Sequence, residues 1–106
     1  MTANLELDHF AIAVSDIPSR VSWYVENFQA TVDYSDETWA MLDINGIKLA
    51  LVLIDQHPPH LAFCVPNLEA LGPDYREHRD GSRYVYKCDP DGNTIELVYW
   101  GKNNDK

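Results

Sequence analysis

Positive charge is scarce in this chain: eight Lys and Arg stand against seventeen Asp and Glu, giving a formal net charge of −9 over 106 residues. The basic residues form no cluster, so the field around the protein repels phosphate backbones and anionic membranes. Neither nucleic acid nor membrane is an expected partner, while a cationic ligand stays open. Cysteine is nearly absent. Cys64 and Cys88 lack the paired spacing of a zinc finger, and no apolar segment follows a basic start, so reduced thiols in a cytoplasmic protein are expected. Long apolar runs are missing as well: the longest, 49–54, is far short of the roughly 20 residues that cross a bilayer.

What the chain does have is the material of a core. Hydrophobic residues make up 45% and aromatics 11%, a composition of folded proteins and not of disordered tails. The length fits one compact domain spanning 1–106.

Laid against itself, the chain shows an internal repeat. DHFAIAVSDI (8–17) matches PHLAFCVPNL (59–68) in character, with His9 falling on His60, Ala11 on Ala62, Val14 on Val65 and Asp16 on Asn67. Further on, NGIKLALVLI (45–54) matches DGNTIELVYW (91–100), which sets Glu96 on Ala50. Two such halves indicate a duplicated supersecondary unit, since a solenoid needs about three repeats or more. The first module, 5–54, reads as βαβββ: strand 5–14, a helix capped by Asp16 or Ser19 with an apolar face of Val21, Tyr24, Val25 and Phe28, and strands 29–34, 38–44 and 47–54. Asn45-Gly46 is a two-residue hairpin signal, predicting pairs Ile44 with Ile47, Leu42 with Leu49 and Ala40 with Leu51. A linker, 55–59, leads to a shortened second module, 60–100. It has strands 60–65, 84–88 and 94–100, a helix from Asn67 broken by Gly72-Pro73, and no counterpart of strand 29–34. A frayed tail, 101–106, follows.

Strand parity then sorts the polar residues. His9 shares a face with Ala11, His60 with Ala62 and Cys64, and Glu96 with Thr94, Val98 and Trp100. Leu61, Phe63, Ile95 and Leu97 point the other way and suit packing under helices. By hairpin pairing, Trp39, Met41 and Ala50 lie on the face equivalent to that of Glu96, and with Tyr84, Tyr86 and Trp100 they are the predicted pocket lining. His57 and His78 read as surface residues. An unpartnered buried carboxylate costs several kcal/mol, so Glu96 needs a partner. If the halves pack about a pseudo-twofold axis, His9 and His60 meet, and two imidazoles with one carboxylate make a three-ligand site for a divalent ion with open positions. A hydrogen-bonded triad without metal is the alternative.

LDHFAIAVSDIPSRVSWYVENF, PHLAFCV and above all DPDGNTIEL resemble the vicinal oxygen chelate superfamily, which includes glyoxalase I, the bleomycin and fosfomycin resistance proteins and the extradiol dioxygenases. The resemblance covers residues 5–100 and implies an α+β fold: two tandem βαβββ modules forming a curved mixed sheet around a cleft. It implies metal ligands from the first, fourth, fifth and eighth strands, which correspond here to His9, Ala50, His60 and Glu96. Alanine cannot ligate, so the implied set is His9, His60 and Glu96, which resembles the pattern of the three-ligand members; Glu96 is also the expected catalytic carboxylate. Fosfomycin enzymes carry a threonine where this chain has Ala11, which ranks that activity low.

The first function expected is a small metal-dependent enzyme holding Fe(II), Mn(II), Ni(II) or Zn(II) that chelates two neighbouring oxygens of a small substrate, in the manner of a glyoxalase or dioxygenase. The alternative is a metal-free binding protein of the bleomycin-resistance type, whose acidic and aromatic walls suit a planar cation. A small interaction module with relic ligands is the third. The resemblance further implies a homodimer.

Overall fold

A computed structural model describes residues 5–101; the rest of the expected tail, 102–106, lies outside them. The elements are β1 (Glu6–Val14), α1 (Ile17–Phe28), β2 (Thr31–Ser35), β3 (Trp39–Ile44), β4 (Ile47–Leu53), β5 (His60–Cys64), a 3₁₀ turn (Leu68–Leu71), β6 (Arg76–Glu77), β7 (Arg83–Cys88) and β8 (Thr94–Tyr99). The architecture is α+β with mixed strand pairing. The chain divides into two compact units, one made by His9–His60 and the other by the chain on either side of it.

In the unit His9–His60 the strand order is β2-β3-β4-β1. Asn45 and Gly46 both have positive φ, 53° and 91°, the conformation a primed two-residue hairpin requires. The turn sets the register of β3 on β4: Ile44 with Ile47, Leu42 with Leu49, Met41 with Ala50, Ala40 with Leu51 and Trp39 with Val52. The hairpin pairs predicted from sequence are all formed. β1 then runs parallel to β4, with Ala11 opposite Ala50.

One face of these strands lies under α1. Its core is Ile17, Ala30, Ala40, Leu42 and Leu51, with Ile12, Val21, Tyr24 and Leu49 against it. Leu42 and Leu51 are fully buried, each contributing about 1.5–3 kcal/mol of transfer free energy. α1 starts where the Asp16 carboxylate accepts the Ser19 N–H at 3.0 Å, and ends at Gln29 in the left-handed region. The apolar stripe is narrower than expected. Ile17, Val21 and Tyr24 pack inward, whereas Val25 and Phe28 remain exposed. Val25 lies off the stripe, and Phe28 packs on the rings of Trp23 and Tyr24.

In the other unit the order is β5-β8-β7-β6: β5 runs parallel to β8, and β8–β7 and β7–β6 are antiparallel. Two expectations are corrected here. The helix from Asn67 is only the 3₁₀ turn, capped by Asn67 accepting the Ala70 N–H at 3.0 Å and stopped at Gly72, φ +85°. Pro73, with no N–H and a fixed φ, cannot continue it. The strand thought missing exists as the two residues of β6, both exposed and charged, so no apolar alternation announced it. With no α-helix among the described residues of this unit, Leu61 is exposed and Phe63, Ile95 and Leu97 are only half-buried, contrary to expectation, while Ala62, Glu96 and Val98 are buried.

The registers establish the repeat independently of side-chain likeness. Ala62 pairs with Glu96 in parallel β5–β8 as Ala11 pairs with Ala50 in parallel β1–β4. Tyr86 faces Glu96 across β7–β8 as Met41 faces Ala50 across β3–β4. Glu96 and Ala50 are thus equivalent by hydrogen-bond ladder, and His60 stands two residues before Ala62 as His9 does before Ala11.

β8 is aimed by the DPDGN turn. Asp89 accepts the N–H groups of Asp91 and Asn93, each at 2.9 Å, and Gly92 supplies the positive φ of +89°. Hydrogen bonds from the Asn93 side chain and then its backbone hold the Asp89 carboxyl below its ordinary value of 3.8. A depressed folded-state pKa adds stability that is complete above the unfolded value and is lost as pH falls through the folded one. The gap in melting temperature between wild type and Asp89→Ala should therefore narrow from about pH 7 to about pH 2.5; a constant gap would show that the ionised carboxylate contributes nothing.

Candidate metal centre

Within the unit His9–His60, His9 lies on the face of β1 opposite α1, beside a small-residue cluster of Ala11, Ala50 and Val52 packed by Met41. Its Nε2 stands 3.3 Å from Nε2 of His60, the rings meeting edge to face at 73°. His60 is buried, and its Nδ1 lies 2.7 Å from the Pro58 carbonyl oxygen. A carbonyl only accepts, so Nδ1 carries the hydrogen, and in the neutral ring Nε2 keeps a bare lone pair. A backbone partner on the second nitrogen is the usual means of orienting a metal-binding imidazole. The Nε2 separation also fits two ligands of one ion: bonds of about 2.0–2.1 Å place neighbouring donors roughly 3–3.4 Å apart.

Within the other unit, Glu96 is buried at 2% exposure in the middle of β8. It has a partner the sequence reading missed. Nε2 of His78 donates to Oε2 of Glu96 at 2.7 Å, and the His78 ring stacks on Tyr84 with centroids 3.7 Å apart and planes 9° from parallel. His78 is half-buried and not the surface residue expected. Glu77, Arg79 and Asp80 around it gave a solvated composition, and the two-residue strand that ends just before it had no sequence signature.

The aromatic candidates separate by position. Tyr86 lies opposite Glu96 and makes an edge contact with Tyr84 at 5.4 Å. Burial, then the negative charge of Glu96, pushes the Tyr86 phenol well above its usual pKa, so it stays a protonated O–H at neutral pH. Trp39 stacks on Tyr34 at 4.7 Å. Trp100 is exposed, and its indole N–H donates to Oδ1 of Asp8 at 3.2 Å.

Cys64 donates its S–H to the same Asp8 oxygen at 3.1 Å. Burial first, and then this carboxylate, push its thiol up to about 12, which makes it a poor nucleophile. Iodoacetamide at about pH 8 should alkylate exposed Cys88 and spare Cys64 in the folded protein; peptide mass spectrometry reads the outcome, and equal labelling would refute it.

No family model matches the chain. The sequence is 28% identical, over an alignment of 122 positions, to Biphenyl-2,3-diol 1,2-dioxygenase 3 of Rhodococcus globerulus; the match takes in 92% of this chain and 64% of that protein. Among solved structures, methylmalonyl-CoA epimerase from Mycobacterium tuberculosis aligns with a TM-score of 0.69 at 23% identity, covering 93% of this chain and 90% of that one. A methylmalonyl-CoA epimerase in complex with methylmalonyl-CoA and NH4+ gives 0.72 at 20%, covering 94% and 96%. A glyoxalase/bleomycin resistance protein/dioxygenase superfamily member from Vibrio splendidus 12B01 gives 0.67 at 16%, covering 92% and 99%. No helix among the described residues is long and apolar enough to cross a membrane.

Proposed function

The chain has the vicinal oxygen chelate fold, and from that premise we propose that it is a small metal-dependent enzyme whose divalent ion is held by His9, His60 and Glu96. The observation that carries the reading is the facing pair of Nε2 atoms, one of them stripped of its hydrogen by the Pro58 carbonyl. Further support comes from Glu96, the one buried carboxylate among the described residues. Two nitrogens and one oxygen suit Fe(II), Mn(II), Ni(II) or Zn(II) and leave coordination positions for a substrate.

A divalent ion bound there supplies Lewis acidity toward two neighbouring substrate oxygens. The two imidazoles bind in neutral form and leave the charge on the ion, which Glu96 alone offsets. Tyr86, kept protonated beside Glu96, enters as a hydrogen-bond donor to a substrate oxygen and not as a base. Tyr84 supplies an aromatic wall.

Of the chemistries carried by similar proteins, that of an uncharged vicinal diol suits this chain better than that of a CoA ester. A CoA ester brings phosphates, and a chain of net charge −9 repels them. The test is anaerobic titration of metal-free protein with each of the four ions, then oxygen uptake with catechol-type diols alongside deuterium exchange at the α-carbon of an acyl thioester. Stoichiometric binding with diol-dependent oxygen uptake is the expected result. Failure to bind any of the four ions would refute the metal reading, and capture of a planar cation by that same protein would put a sequestering function in its place. The reading includes a homodimer, supported by the large apolar residues Trp23, Val25 and Phe28 left exposed on α1 and testable by sedimentation.

A further inference from the structure

We infer that His78 is the positioning residue of the carboxylate ligand: its hydrogen bond to one oxygen of Glu96 orients the carboxylate for the ion. The inference rests on the metal reading above and assigns a role that the three-ligand pattern does not contain. A ring nitrogen that donates its hydrogen to a carboxylate has no lone pair left for a metal, so the Nε2 of His78 that faces Glu96 acts through that carboxylate and not as a ligand. The bond to Oε2 at 2.7 Å fixes the orientation of the Glu96 carboxylate on β8.

Three features hold the imidazole in place. Its face lies against Tyr84 at 3.7 Å. Its backbone N–H donates to the Ser82 carbonyl at 2.9 Å, and its carbonyl accepts the Gly81 N–H at 3.0 Å. The turn between is locked by Asp80, whose Oδ1 accepts both the backbone N–H of Ser82 at 2.9 Å and its hydroxyl at 2.7 Å. Ser82 is buried, and Gly81 takes the φ of +92° that the turn needs.

The other half of the repeat is an internal control. Trp39 faces Val52 as Tyr84 faces Val98, so the two rings are equivalent, and each carries a stacked ring from the preceding strand region. On Trp39 that ring is Tyr34, in the half where alanine stands at the ligand position. On Tyr84 it is an imidazole, in the half that carries the carboxylate. The hydrogen-bond donor accompanies the acid it serves.

The experiment uses Co(II), followed by calorimetry and by the visible absorption of the bound ion, on four variants and the wild type. His78→Phe keeps a ring on Tyr84 but has no donor, and His78→Asn has a donor too short to reach. Both should bind Co(II) about 10–100-fold more weakly, as loss of a ligand's hydrogen-bond partner does, with a changed visible band. His78→Gln, whose amide reaches Glu96, should bind within a few-fold of wild type. Glu96→Ala should not bind. Metal-free melting curves of all five report the fold separately. Wild-type affinity in His78→Phe and His78→Asn, with binding lost in Glu96→Ala, overturns the inference alone. So does His78→Gln as weak as His78→Asn. Equal binding by wild type and Glu96→Ala, or none by either, overturns the metal reading with it.

Discussion

Glu96→Ala should leave the protein folded and unable to hold Mn(II) or Co(II) stoichiometrically. The loss should exceed the roughly 10–100-fold expected of an outer hydrogen-bond partner, because this change removes the sole anionic donor of the proposed set. Stability should move little in the metal-free protein. The wild-type side chain is a buried carboxylate whose desolvation opposes folding and whose bond to His78 offsets that cost, so deleting it removes both terms together. A shift of about 1 kcal/mol corresponds to roughly 4–8 °C in a domain of this size, and the metal-free melting point should stay within that range. Titration calorimetry and a melting curve decide the matter. Unchanged metal binding with a collapsed melting point would make Glu96 a structural residue.

One position from the ligand-equivalent Ala50, the reverse outcome is expected. Leu51→Ala should destabilise the protein by about 2–5 kcal/mol, a large share of the roughly 5–15 kcal/mol typical of a domain, without weakening metal binding by the folded fraction. Leu51 is fully buried under α1 among Ile17, Ala40 and Leu42. Alanine there forfeits the transfer energy and leaves a cavity that two layers of regular structure cannot close. Urea unfolding should show a lower midpoint at an unchanged slope. A shift below about 1 kcal/mol would mean that the face under α1 is not the core.

These opposite expectations, at Glu96 and at the neighbour of its counterpart Ala50, rest on strand parity, which was legible in the sequence. Asn45-Gly46 determined the hairpin pairing because a two-residue primed turn allows one register, and that register put Leu42, Leu49 and Leu51 on one face and Met41 and Ala50 on the other. The match of His9 with His60 and of Ala50 with Glu96 was readable for the same reason: equivalent ladders keep equivalent spacings. The second half resisted reading where its structure is short. Four residues of 3₁₀ turn bury only Leu71, too little for a periodic pattern, and the charged β6 is held by backbone bonds to β7. His78 was lost with it. Its role comes from a turn that returns it beside Tyr84, and such tertiary placement leaves no trace in local composition.

The unequal treatment of the two copies has an evolutionary consequence. The helix-covered aliphatic layer belongs to the copy with alanine at the ligand position; the copy with the carboxylate has a turn in place of the helix and buries its polar face instead. Most substitutions destabilise, and a protein tolerates them only down to a threshold. A duplicated module relaxes that constraint. One copy can accumulate the charged and strained groups that chemistry needs while the layer beneath α1 in its twin is left untouched, so new activities in such a chain should arise by change in β6 to β8 before change in β1 to β4.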